Sequence, residues 1–355
     1  MRRLRILALV PAVFLAACTY YFNGLSGPPK PPSPPQVVRF LAFGDAGSGS
    51  VRQAAVGHAM AQVCAARGCD FALELGDNFY PAGVTSTSDP QFQSAFERPY
   101  AELNFPIYAV LGNHDNGTVG GEGNNNARGN IEVTYRSARW RMPARRYSFM
   151  AGGDGPQVFA EFFALDSSPL TARVSDHSPD WAPGPYAERE LDWLRDAMHN
   201  SKAQWKIAFA HHPYVSNGLH GNAGNYDADL PANSPTARGT LWKDLLDKTI
   251  CEQKADLYLA GHNHDLEWLK PVPACGPTQF IVSGAGSPDE ERRLGDRVRN
   301  AVYWQADRAA GFFWIELKGK QLTAAAYTLT PQDALPLDAQ GKPQAAFEQT
   351  VEKGQ

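Results

Sequence analysis

The chain has 355 residues, of which 43% are hydrophobic and 20% charged, a balance suited to a soluble globular protein of one large or two small domains. Its formal net charge is −4 and no cluster of Lys and Arg runs through its body. That excludes nucleic acid as a main partner, because such affinity rests on basic side chains set against phosphates.

The N-terminus carries a short basic head (Arg2, Arg3, Arg5) and then an apolar run over residues 6–15, too short to span a bilayer. Leu15-Ala16-Ala17-Cys18 follows and resembles a bacterial lipobox. The resemblance implies a signal peptide over residues 1–17, cleavage before Cys18 and acylation of its sulfur. The exported chain would then sit in the bacterial cell envelope, periplasmic or at the outer membrane, with Cys18 as its lipid anchor. A plain secretory signal that happens to end near a Cys is the alternative. Removal of Arg2, Arg3 and Arg5 makes the mature chain three charges more negative. Residues 28–35 (PPKPPSPP) favour extended polyproline geometry, so residues 18–35 read as a lipidated Cys and a stiff tether.

The body starts near Gln36. Residues 37–43 are β-branched, aromatic and apolar, a buried strand. Residues 50–67 have helical spacing with Gly68 as a stop, and residues 70–75 form a second strand. Residues 91–103 look helical, with Pro99 obscuring the end, and residues 106–111 form a third strand. Residues 147–150 and 157–165 read as strands joined through a glycine-rich turn at 152–155. A loop over 166–185 has no clear period. Helices are expected over 188–199 and most of 234–253. Strands are expected over 205–210, 256–260, 278–283, 311–317 and 322–329. This alternation predicts parallel crossovers and an α/β fold. The domain is expected over 36–330, with an irregular C-terminal tail over 331–355.

Beyond Cys18 the chain has Cys64, Cys69, Cys251 and Cys275. An even count in an exported chain suggests two disulfides, and three pairings are possible. Closeness in sequence favours Cys64–Cys69 and Cys251–Cys275; four free buried thiols is the alternative.

Five apolar runs end in polar clusters. These are Gly44-Asp45-Ala46-Gly47, Gly76-Asp77-Asn78-Phe79-Tyr80, Gly112-Asn113-His114-Asp115, His211-His212-Pro213 and Gly261-His262-Asn263-His264. In α/β folds the loops after parallel strands converge on one crevice, so the five groups are expected to meet. Carboxylates, an amide oxygen, imidazoles and a phenol are the donors for two cations about 3.5–4 Å apart, one carboxylate bridging them. Any one of the five is weak, because a Gly-Asp pair more often marks a turn. All five together carry the argument.

The series resembles the five-block signature of the calcineurin-like metallophosphoesterases. The resemblance implies a four-layer αββα sandwich of two mixed sheets flanked by helices. Most members have a His two residues after the first Asp, where this chain has Gly47. Tyr80, three residues after Asp77, matches the metal-binding tyrosine of the purple acid phosphatases, and the match is closest to their small, mammalian-type class.

Carried over residue by residue, the purple acid phosphatase resemblance implies a binuclear centre. Asp45, Asp77, Tyr80 and His264 would hold Fe(III). Asp77, Asn113, His211 and His262 would hold a divalent metal (Fe, Zn or Mn), with His212 an alternative to His211. His114 and His220 would be catalytic, contacting the substrate phosphate, and one would protonate the leaving oxygen. The implied activity is acid phosphatase hydrolysis of phosphate monoesters by a metal-activated hydroxide, in a monomer. A phosphodiesterase or nucleotide hydrolase with the same centre, and a non-catalytic phosphate-binding lipoprotein, are the rival readings. Relative rates on mono- and diesters discriminate the first, and absence of turnover the second.

Overall fold

The computed structural model describes residues 36–153, 158–174, 176, 178–227, 236–287, 294–295 and 299–354. The signal, the lipobox and the tether lie outside the described residues, as do residues 154–157, which include part of the turn expected at 152–155, and residues 228–235.

The chain first lays down β1 (Val37–Phe43), β2 (Phe71–Glu74), β3 (Ile107–Ala109) and β4 (Trp140–Arg141), all parallel. Between β1 and β2 runs α1 (Val51–Arg67), capped by the Ser50 hydroxyl and stopped at Gly68, as its sequence spacing predicts. Between β3 and β4 runs α2 (Asn126–Thr134). The chain then builds a second sheet. Its strands are β5 (Tyr147–Ala151), β6 (Ala160–Ala164), β7 (Trp205–Phe209), β8 (Leu257–Ala260), β9 (Leu266–Leu269), β10 (Gln279–Ser283) and β11 (Val302–Ala306). Finally β12 (Gly311–Lys318), β13 (Gln321–Thr328) and β14 (Phe347–Glu352) return antiparallel to the first sheet.

Among the described residues the result is two seven-stranded mixed sheets, ordered β14-β13-β12-β1-β2-β3-β4 and β11-β9-β10-β8-β7-β6-β5. An aromatic core fills the space between them. Phe40 of β1 and Phe71 of β2 meet the edge of Phe162 of β6 at 5.2 and 5.1 Å between ring centroids. Such edge-to-face pairs add to the area that the rings bury. On the far side of the second sheet, Tyr186, Leu194 and Met198 of α4 (Pro183–Asn200), with Trp242 and Leu245 of α5 (Thr240–Leu246), join a second buried cluster with Ala208, Tyr258 and Phe280. Two mixed sheets flanked by helices are the architecture expected.

Both favoured disulfides, Cys64–Cys69 and Cys251–Cys275, are formed. Several expectations need correction. Residues 331–355 are not an irregular tail: β14 pairs with β13 from Ala326↔Phe347 to Gln321↔Glu352 and closes the first sheet. Its alternating polar residues, half in solvent, hid the strand. The helix expected over 91–103 shrinks to a wide turn, Phe92–Glu97, since Pro99 supplies no N–H to continue it. The loop expected over 166–185 contains α3 (Ser168–Thr171) and the first residues of α4, which starts at Pro183.

Candidate metal centre

The five polar clusters follow β1, β2, β3, β7 and β8, and the structure brings all five together where the two sheets face each other. Asp45, Asp77 and His262 all have positive φ, at 55°, 54° and 70°. A non-glycine residue there costs about 1 kcal/mol or more, and such strain concentrates at functional sites. The turns are fixed by close backbone contact. A Cβ on Gly112 would lie 2.1 Å from Asp77 Oδ1. A Cβ on Gly47 would lie 2.1 Å from the Asn78 carbonyl oxygen. No side chain fits at 47, so this position cannot supply the histidine found in most metallophosphoesterases. The same close approach lets the Tyr80 N–H donate to the Gly47 carbonyl at 2.9 Å, which seats Tyr80 in the site.

Two donor groups result. The Tyr80 hydroxyl lies 3.3 Å from Asp45 Oδ1, 3.0 Å from Asp77 Oδ2 and 3.3 Å from His264 Nε2. Beside it, His211 Nε2 lies 3.0 Å from Asn113 Oδ1, 3.3 Å from His262 Nδ1 and 3.5 Å from Asp77 Oδ2. Asp77 therefore stands between the two groups. All seven residues expected as ligands are present, and the set fits a metal pair: buried acceptor-only carboxylates, imidazoles, an amide oxygen and a phenol. Asp45, Asp77 and His264 can bring ligand atoms within 4.8 Å of one another, and so can His211, His212 and His262.

Hydrogen bonds behind the site orient these donors. His211 Nδ1–H donates to the Leu75 carbonyl at 2.9 Å, which leaves Nε2 toward Asp77 and Asn113. Asn113 Nδ2 donates to the Gly121 carbonyl at 3.0 Å, which turns Oδ1 toward His211. His212, the alternative to His211, has Nδ1 2.8 Å from the Ser167 hydroxyl and 3.2 Å from that of Thr171. Asp115 accepts from the N–H groups of Gly112, Asn78 and Phe79 and so ties the loops after β2 and β3 together.

Burial pushes Asp77 upward, but His211 and His114 outweigh it and hold the carboxyl below its ordinary value. Burial, then the neighbouring His220 and His212, push His262 well down, toward the neutral form that ligates metals. Burial and the Asp77 charge raise Asp115 to about 8.

His114 and His220 flank a cavity of about 490 Å³ that opens over the centre. His114 Nδ1–H donates to the Pro81 carbonyl at 2.7 Å. His220 stacks on His262 at 4.2 Å, and its N–H donates to Asn263 Oδ1 at 2.9 Å. Sequence reasoning did not identify Glu122, Thr171, Arg173, Tyr226 and Asp227, which also line the cavity. Glu122, Thr171 and Arg173 lie where no motif was matched. For Asp227 a signal existed, an acidic residue seven positions after the loop histidine.

The calcineurin-like phosphoesterase family matches residues 38–266, which hold all five clusters. The chain belongs to that family, and within it to the purple acid phosphatases, hydrolases of phosphate esters with a binuclear metal centre. It is 30% identical over 268 residues to purple acid phosphatase 7 of Arabidopsis thaliana, covering 70% of each chain. It is 27% identical over 309 residues to tartrate-resistant acid phosphatase type 5 of Mus musculus, covering 82% of this chain and 86% of the relative. Among solved structures, GAP50, the anchor in the inner membrane complex of Plasmodium, shares the fold at a TM-score of 0.65 and 17% identity, over 90% of each chain.

Proposed function

We propose that this protein is a lipid-anchored purple acid phosphatase of the bacterial cell envelope that hydrolyses phosphate monoesters with an Fe(III)–divalent metal pair. One observation carries the metal assignment: the Tyr80 hydroxyl lies within 3.3 Å of Asp45, Asp77 and His264, where an Fe(III)–phenolate would be held. Asp45, Asp77, Tyr80 and His264 would hold the iron. Asp77, Asn113, His211 and His262 would hold Fe, Zn or Mn, with Asp77 common to both sets.

When bound, the two ions supply Lewis acidity toward the phosphoryl oxygens and make a coordinated water nucleophilic near neutral pH. The chain's own residues orient the ester. His114, its Nδ1 committed to Pro81, presents Nε2 to the substrate phosphate. His220, which lines the same cavity, donates a proton to the leaving oxygen. Glu122, Arg173 and Tyr226 also line the cavity.

Purified, metal-replete protein should be pink to purple and contain iron, and Tyr80→Phe should abolish the visible band. Colourless metal-replete protein would refute the iron–phenolate. Faster turnover of bis(p-nitrophenyl) phosphate than of p-nitrophenyl phosphate would overturn the monoesterase reading. For the anchor, Cys18→Ser in a bacterial host should block acylation and lipoprotein-type processing; unchanged processing and membrane partition would rule out lipidation at Cys18.

A further inference from the structure

The loop that carries His220 closes on itself. The Asp227 N–H donates to the His220 carbonyl at 3.1 Å, and His220 Nδ1–H donates to Asp227 Oδ1 at 2.7 Å. Asp227 has φ 42°, a left-handed conformation that aims its carboxylate back along the loop. Its other oxygen, Oδ2, lies 4.0 Å from Arg173 Nε. Arg173 comes from the 166–185 segment, where the sequence matched no motif, and it lines the same cavity as His220 and Asp227. Three elements therefore fix the imidazole: Asn263 at its backbone, the His262 ring against its face, and Asp227 at Nδ1.

We propose that Asp227 is a positioning residue for the reaction: it holds His220 by Nδ1 so that Nε2 is the nitrogen that meets the leaving oxygen, and Arg173 keeps the Asp227 carboxylate in place. A carboxylate accepts hydrogen bonds and cannot donate, so it selects the ring form with a proton on Nδ1. When the phosphorus–oxygen ester bond breaks, its electron pair stays on the departing oxygen, which takes the proton from Nε2. The neutral imidazole that remains keeps Nδ1–H on Asp227, and the carboxylate balances the positive charge that the ring held before transfer. A side chain free to rotate would lose this alignment, at a cost concentrated in turnover of poor leaving groups.

The inference rests on the phosphatase reading above, and its test separates the two. The variants are Asp227→Ala, Asp227→Asn, His220→Ala and the double variant Asp227→Ala/His220→Ala. Each is assayed with p-nitrophenyl phosphate and glycerol 2-phosphate, and its metal content is measured. Asp227→Ala should retain both metals and lose about 10- to 100-fold in kcat on the alkyl ester, with a much smaller loss on the aryl ester. Asp227→Asn, which retains an acceptor oxygen, should recover part of that loss. The double variant should be no slower than His220→Ala. In zinc-loaded protein labelled with ¹⁵N-histidine, the wild type should show His220 protonated at Nδ1, and Asp227→Ala should shift it toward a mixture of tautomers. Equal losses on both esters, multiplicative losses in the double variant, or an unchanged ¹⁵N spectrum would each overturn the proposal. If the wild type turns over neither ester, the phosphatase reading fails, while the spectrum still decides whether Asp227 holds His220.

Discussion

The Asp45 carboxylate accepts the backbone N–H of His262 at 2.9 Å, a bond between the loop after β1 in one sheet and the loop after β8 in the other. The two residues are 217 positions apart, and both have positive φ. The bond clamps the sheets together at the edge where the donors gather. The centre is thus assembled across an interface, and changes that loosen the loops should act on metal binding before they act on the core.

Metal ligation and substrate contact should separate in mutants. Asn113→Ala and His211→Ala should lower metal content together with activity, since Asn113 Oδ1 and His211 Nε2 converge to 3.0 Å in one donor group. His114→Ala should retain both metals and its colour while turnover falls roughly 10²–10⁴-fold, the range for a group that acts on the transferring proton or phosphate. Elemental analysis beside kcat decides the matter; metal loss in His114→Ala would move His114 into the ligand set.

Gly47→Ala should damage the site out of proportion to its size. The added Cβ meets the carbonyl of Asn78, a backbone atom that cannot swing aside. Overpacking of this kind costs about 1–3 kcal/mol, and relief requires moving the loop that carries Asp77 and Tyr80. A lower denaturation midpoint and a weaker visible band are expected; wild-type values for both would show that the loop yields freely.

The two disulfides should contribute unequally. Cys251–Cys275 closes a span of 24 residues and Cys64–Cys69 one of 5. Loop-closure entropy in the unfolded chain gives about 3.5 kcal/mol for the longer and about 2 kcal/mol for the shorter. Paired Cys→Ser variants compared by chemical denaturation test the order, and a larger loss at 64 and 69 would contradict it.

Glu190 makes the native state lose stability as pH rises toward about 8. Its buried carboxyl accepts from the Asp166 N–H and faces Arg146, and burial with the Asp166 charge raises it from 4.5 to about 8. The native state therefore keeps a proton that the unfolded chain releases near pH 4.5. On this group stability falls as pH rises from about 4.5 to about 8, by up to about 1.4 kcal/mol per unit. Glu190→Gln, which resembles the protonated acid, should flatten that slope. A pH–stability curve parallel to wild type would count against it.

Much of the fold and the candidate site was legible in the sequence because both are written locally. The apolar runs of β1, β2, β7 and β8 are buried on both faces and read as strands without partners in view. Each polar cluster directly follows such a run, so the convergence of Asp45, Asp77, Asn113, His211 and His262 followed from parallel topology alone. The exchange of a histidine for Gly47 and the presence of Tyr80 were visible as residue types. The tertiary structure decided what depends on distant neighbours. It supplied the reason for Gly47, the Asn78 backbone lying where a Cβ would go. It placed β14 against β13, a pairing that half-exposed polar strands do not announce. It joined Arg173, Asp227 and His220 from segments with no shared motif. Periodicity and turn chemistry act within a few residues and can be read along the chain, whereas side-chain contacts between loops exist only once both sheets are packed.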